Sequence, residues 1–259
     1  MSPGFEYLAS LVGLIRQGTI NIVDLTHPLN EHTPVISLPP EIGRSSPGFT
    51  KTTISNFDDH GPGWAWNFLQ MGEHCGTHFD APNHWITGRH HATGSTETMA
   101  IDNFIAPACV IDVSEKVLND DSYLLSVNDI EQYEAQHGQI GDGALVLMRT
   151  DWYKRMGTPA FLNDNCSPGP TADAMRFLAE QRDVRGFGVE QVGTDAGAAG
   201  GFVPPFPAHH YMHAKNGFGL ASLAHLDQLP AKGSVVIAAP LKITGGSGSP
   251  VRVLALVPN

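Results

Sequence analysis

Residues 108–150 read ACVIDVSEKVLNDDSYLLSVNDIEQYEAQHGQIGDGALVLMRT. ACVIDV (108–113) predicts a strand. Ser126, with Asp129 three residues on, makes a capping box for a helix that carries Ile130 and Tyr133 and stops at Gly138. ALVLMRT (144–150) is a short apolar run without alternation, the pattern of a strand buried on both faces. Strand, helix, buried strand is the repeating unit of an α/β domain. Working toward the C-terminus, Thr171 caps a helix through Arg182, with Ala174, Phe177 and Leu178 on its inner face. GFGVE (186–190), SVVIAAP (234–240) and VRVLALV (251–257) add three strands. Working toward the N-terminus, residues 30–63 carry Pro34, Pro39, Pro40, Pro47 and Pro62 and predict a long irregular binding loop. INIVDLT (20–26) reads as a strand cut off by Pro28, and Phe5, Leu8, Leu11, Val12 and Ile15 recur at helical spacing before Gly18. Alternation in the middle and strand at the ends predict an α/β fold around a mixed β-sheet with flanking helices. Neither a repeat nor a linker divides it, so one domain is expected over residues 1–259.

The chain has 259 residues, enough for a real core, and a net charge of −11. Such an excess of acid, without clustered Lys or Arg, argues against nucleic acid or an anionic membrane as partner. No apolar run approaches the roughly 20 residues that span a bilayer. Cys75, Cys109 and Cys166 are widely spaced and form no CxxC pair, so neither a disulfide framework nor a zinc finger is expected. The opening MSPGFEYLASLVGLIRQG places Glu6, and no basic residue, ahead of its apolar stretch, the reverse of a secretory signal. A soluble cytoplasmic protein is expected.

Histidine is concentrated. Five of 13, namely His74, His78, His84, His90 and His91, fall within 18 residues, where even spacing leaves about one. Within MGEHCGTHFDAPNHW (71–85), His78 and Asp80 lie on one side of an extended chain and Phe79 on the other. His74 sits about 13 Å further back along a straight strand, so Gly76 is needed to turn it toward the same point. Two imidazoles and a carboxylate suit a divalent metal that keeps positions open for water and substrate. Pro82 redirects the chain before His84, while His90 and His91 read as solvated loop residues. Trp64, Trp66 and Phe68 alternate just ahead of the cluster, and Trp85 follows it. Trp64, Trp85, Phe202 and Phe206 are candidates for an aromatic wall against a planar ring, with ordinary packing as the alternative. Glu190, Gln191 and Asp195 are candidates to hold imidazole N–H groups, and a turn cap is the alternative for Asp195. No G-x-S-x-G elbow is present, which makes covalent serine catalysis the weaker route.

HCGTHFDAPNH (74–84) resembles, without a gap, the H-x-G-T-H-x-D-x-P-x-H signature of the cyclase-like metal-dependent hydrolases. That superfamily includes bacterial kynurenine formamidases and isatin hydrolases. DLTHPL (24–29), PAHH (207–210) and PLKITGGSGSPVRVLAL (240–256) extend the resemblance from about Val23 to Val257. It implies a swivelling β/β/α-like fold, His74, His78 and Asp80 as metal ligands, and His84 as general acid/base. In the formamidase branch a histidine of the P-x-H-H segment and a glutamate twelve residues later bind a second zinc. Here the histidine is His209, but Ala221 stands in the glutamate's place and Ser222 follows. The resemblance therefore implies the isatin hydrolase branch, with one divalent metal per chain, Mn2+ with Zn2+ as the alternative. It also implies Ser222 on a proton path beside His209. The implied reaction is opening of a cyclic amide by metal-activated water, with His84 moving the proton. Arylformamidase action on N-formylkynurenine and lactone hydrolysis are alternatives on the same machinery, and His84 counts against a scaffold without turnover. The implied partners are a small aromatic or cyclic amide substrate and a second copy of the chain, as a homodimer or larger assembly.

Overall fold

The computed structural model describes residues 3–36 and 43–259. Its first half holds α1 (Pro3–Arg16), β1 (Ile20–Asp24), β2 (Thr50–Asn56), β3 (Ala65–Gln70), β4 (His78–Asp80), β5 (Ile105–Asp112), α2 (Ser114–Asn119), β6 (Leu124–Leu125) and α3 (Val127–His137). The second half holds β7 (Leu145–Arg149), β8 (Gly169–Pro170), α4 (Ala172–Gln181), β9 (Gly186–Val189), α5 (Pro207–Ala214) and β10 (Phe218–Ala221). Three strands close the chain: β11 (Lys232–Ile237), β12 (Gly248–Pro250) and β13 (Leu254–Pro258).

Nine strands form one mixed sheet in the order β1-β13-β11-β5-β7-β9-β10-β4-β12. The central β5, β7, β9 and β10 run parallel, and every other pairing in this sheet is antiparallel. Parallel neighbours need crossovers, and α2 with α3, α4 and α5 supply the three. On one face Ile130 and Tyr133 of α3, Met175 and Leu178 of α4 and Met212 of α5 pack on Val146, Met148, Phe187 and Val189. On the other face Leu145, Leu147 and Leu220 join Phe79, Val236 and Ala255 in a second core, as the sheet curls. β7 therefore contacts a core on each side, which is why its residues show no alternation. No helix among the described residues is long and apolar enough to cross a membrane.

The α/β architecture and the amphipathic first helix are as expected, and two local readings change. VRVLALV becomes a strand only from Leu254, because Val251 N–H binds the Thr77 carbonyl and the Val253 carbonyl binds Leu25 N–H, each at 2.9–3.0 Å. Residues 30–63 are not irregular throughout: Thr50–Asn56 pairs with β3 in a separate two-stranded ribbon. Its Thr50, Thr52, Thr53 and Ile54 are β-branched and the run contains no proline, so strand propensity wins there. Residues 37–42, with Pro39 and Pro40, lie outside the described residues. The apolar stripe of α1 is not buried within the chain, and Phe5, Leu8 and Val12 are exposed.

The capping box holds α3 as read. Ser126 Oγ accepts from Asp129 N–H at 3.4 Å, and the Asp129 carboxylate accepts from Ser126 N–H at 2.7 Å. The same carboxylate takes the Tyr123 hydroxyl at 2.9 Å and the Lys116 ammonium. Burial works to raise the Asp129 pKa, but these donors outweigh it and hold it below 3.8. Because the folded pKa lies below the unfolded one, this stabilisation is complete above pH 3.8 and fades as pH falls through the depressed pKa. Asp129→Ala is expected to cost about 1–2 kcal/mol in urea unfolding at pH 7. The gap to wild type should narrow on acidification below pH 3.8, and an unchanged gap would contradict this account.

Candidate active site

His78 and Asp80 point to one side of β4 and are 5% and 1% exposed, while Phe79 between them enters the opposite core. Gly76, at φ +62°, makes the turn that brings His74 back. Strand pairing sets Gly219 of β10 and Gly248 of β12 on either side of Asp80. Gly248 has no room for a side chain, and Gly219 has little. A Cβ on Gly219 would lie 3.0 Å from Asp80 Oδ2, and one on Gly248 would lie 2.5 Å from His74 Cε1 and 2.3 Å from the Phe79 carbonyl.

His74 Nδ1 lies 2.7 Å from Asp80 Oδ1, and His78 Nε2 lies 3.4 Å from the same oxygen. His78 Nδ1 is 2.8 Å from the Gly76 carbonyl. A carbonyl only accepts, so Nδ1 carries the hydrogen and Nε2 presents its lone pair to Asp80's side. One donor atom from each of His74, His78 and Asp80 falls within 4.8 Å of the others. Burial keeps His78 neutral by lowering its pKa. Burial alone would raise that of Asp80, but His78, His74 and His84 overrule it and hold the carboxyl well below 3.8. A neutral imidazole at His78 beside an ionised carboxylate at Asp80 is the pairing that ligates a metal, so with His74 the three donors fit a divalent cation.

His84 ends the short turn Pro82–His84 and stacks on His74 with ring centres 3.8 Å apart. Burial pulls its pKa down to about 2, so it is a neutral base at physiological pH. His209, on the first turn of α5, stands 5.4 Å from His84 between ring centres. Its Nδ1 is 2.5 Å from Asp195 Oδ2, and the same carboxylate accepts the Ala208 and His209 backbone N–H groups. Asp195 is thus both helix cap and imidazole partner. Burial opposes a charge on His209, but Asp195 prevails and its pKa is raised above 6.5. Asp80, His84 and His209 also bring donors within 4.8 Å of one another. In place of a further carboxylate, the methyl of Ala221 pairs in register with His78.

Other expectations divide. Trp85 meets Phe206 and His209, each with ring centres 5.4 Å apart. Trp64 does not join them: it is 68% exposed beside the β2–β3 ribbon, which is not part of the main sheet. Among the described residues, no aromatic ring contact ties the half-buried Phe202 to the cluster either. Ser222 is buried at φ +52°, and its carbonyl accepts the Thr77 hydroxyl at 2.5 Å, one residue from His78. Its own hydroxyl lies 3.4 Å from the Gln191 carbonyl. Glu190 and Gln191 hold no imidazole. Glu190, pushed up to about 7 by burial, accepts from Thr150 and Trp152, and the Gln191 amide donates to Thr150. His213 went unread, although its i, i+4 spacing from His209 puts both on one face of a helix. It is 1% exposed, 5.5 Å from His209 and 6.2 Å from His84 between ring centres.

The Cyclase family profile matches residues 23–196, two thirds of the chain. The chain belongs to the Cyclase family. It is 50% identical over 257 residues to an isatin hydrolase of Roseibium aggregatum, covering 97% of each. Similarity to a kynurenine formamidase of Salinibacter ruber is 30% over 199 residues, covering 72% of this chain and 77% of that one. Among solved structures, an isatin hydrolase bound to the product analogue thioisatinate superposes with a TM-score of 0.97 at 49% identity, with full coverage of both chains. In this Cyclase-family chain the Asp195–His209 pair gives a direct test. Asp195→Asn removes the charge that overcomes burial, so the His209 pKa, followed by NMR in metal-free protein, should drop from above to below 6.5. A value that stays above it would assign the shift to another group.

Proposed function

We propose that this chain is a metal-dependent hydrolase that opens the ring amide of isatin or a close cyclic amide. The observation that carries this reading is the near-complete match to isatin hydrolases, in sequence and fold, around an intact His74–His78–Asp80–His84 cluster. Ala221 favours it over the formamidase reading, since no second carboxylate stands opposite His78. His74, His78 and Asp80 hold one divalent cation per chain, Mn2+ in our reading with Zn2+ as the alternative. When bound, such a cation polarises a carbonyl and lowers the pKa of water toward neutrality. His84, neutral and beside the cluster, accepts the proton of the attacking water as the new C–O bond forms. It returns that proton to the ring nitrogen as the C–N bond breaks, leaving an aryl amine and a carboxylic acid, which then ionises by releasing water's second proton to solvent. His209, oriented by Asp195, faces the same space, and we assign Ser222, buried next to Ala221, to the proton path. Trp85 and Phe206 offer ring faces for a planar substrate, with Phe202 on the same segment.

The decisive assay compares isatin with N-formylkynurenine. A higher kcat/KM for isatin is expected, and the reverse order would move the chain to the formamidases. His84→Asn should lower kcat by about 10²–10⁴-fold with metal content unchanged. Metal loss in proportion to activity would make His84 a ligand instead.

We further read residues 1–259 as one domain, because β1 and β13, from opposite ends of the chain, pair in the same sheet. Three free cysteines suit a reducing cytoplasm. A homodimer or larger assembly is supported by the large apolar side chains left exposed: Trp64 beside the ribbon, Trp66 and Phe68 on it, and Phe5 and Leu8 of α1. Trp66→Asp should shift the particle toward monomer in sedimentation analysis. An unchanged assembly, or a monomeric wild type, would remove the ribbon from any interface.

A further inference from the structure

His74 is held from its far side by two groups that play no part in the proposed chemistry. Its Nε2 lies 3.0 Å from Ser247 Oγ, and that hydroxyl lies 2.5 Å from Glu73 Oε2. The Ser247 backbone points the same way: its N–H approaches Glu73 Oε2 at 3.4 Å, and its carbonyl accepts the Ala81 N–H at 2.8 Å. The next residue, Gly248, leaves the space that the His74 ring fills. A carboxylate only accepts, so the serine hydroxyl spends its one hydrogen on Glu73. Its oxygen can then only accept from His74, and Nε2 must carry a hydrogen. On a neutral ring, the lone pair is left on Nδ1, facing Asp80 Oδ1 at 2.7 Å. A lone pair against a carboxylate oxygen is repulsive unless a positive charge lies between them.

We propose that Glu73 and Ser247 are positioning residues that fix the tautomer of His74, making Nδ1 the nitrogen it offers to the cation. This inference rests on the ligand assignment above. It makes the two histidines unlike, since His78 is fixed the opposite way by the Gly76 carbonyl and offers Nε2. Hydrogen-bonded partners of this kind orient a ligating imidazole and raise its basicity.

Two measurements test it. In zinc-loaded, ¹⁵N-labelled wild-type protein, His74 should show a protonated Nε2 and a metal-shifted Nδ1, with His78 showing the reverse. Coordination of His74 through Nε2 overturns the proposal, whether or not any variant folds. In the second measurement, zinc loss to a chelator is followed in the intact protein. Ser247→Ala should speed it by about 10–100-fold, Ser247→Thr should restore slow loss, and Glu73→Gln should fall between. Wild-type retention in both Ser247→Ala and Glu73→Gln overturns the proposal while leaving the ligand assignment standing. Retention of zinc by Asp80→Ala overturns the ligand assignment itself, and this inference with it.

Discussion

The site depends on a single buried charge. Asp80 is 1% exposed, and a carboxylate taken out of water costs several kcal/mol unless it is closely partnered. The two imidazoles converge on its Oδ1, at 2.7 and 3.4 Å, and a cation held among the three donors would supply the partner that the charge requires. Room for that convergence comes from what is missing on either side, since Gly219 and Gly248 bring the neighbouring strands against it without side chains. The three-residue strand, the left-handed turn at Gly76 and the two flanking glycines are one device for holding a carboxylate and two histidines together in the dark of the protein.

The sheet explains why the rest of the chemistry gathers there. In open α/β sheets, ligands bind beyond the carboxyl ends of the parallel strands. β9 ends at Val189, and Glu190, Gln191, Thr194 and Asp195 follow it. β10 ends at Ala221, where Ser222 follows and where His78 pairs across from the antiparallel β4. α5, the crossover between those two strands, starts on the Asp195 cap and carries His209 and His213 along one face. A crossover helix and two strand ends thus bring Asp195, His209, His213 and Ser222 close to the His74–His78–Asp80–His84 cluster.

Local features of this design were legible in the sequence. The alternation of His78, Phe79 and Asp80, the turn at Gly76 and the capping box at Ser126 are each decided within a few residues, and each is found as read. Features that need two distant segments were not. Nothing in GSP or FGLA reveals that their glycines flank Asp80, and nothing near Glu73 points to Ser247, 174 residues away. The ribbon strand Thr50–Asn56 was hidden by the prolines around it, which are loop signals for their neighbours only. Trp64 shows the same limit: nearness to the cluster in sequence does not carry it there in space. The stripe on α1 identifies a face that seeks cover, but a stripe cannot tell a core from a partner.

In our reading one divalent cation sits where His74, His78 and Asp80 converge. Anomalous diffraction from Mn2+-soaked crystals, collected on both sides of the manganese edge, tests it directly. A single peak per chain is expected, within bonding distance of His74 Nδ1, His78 Nε2 and an Asp80 oxygen. A peak away from Asp80, or two adjacent peaks at full occupancy with the second between His84 and His209, would contradict it.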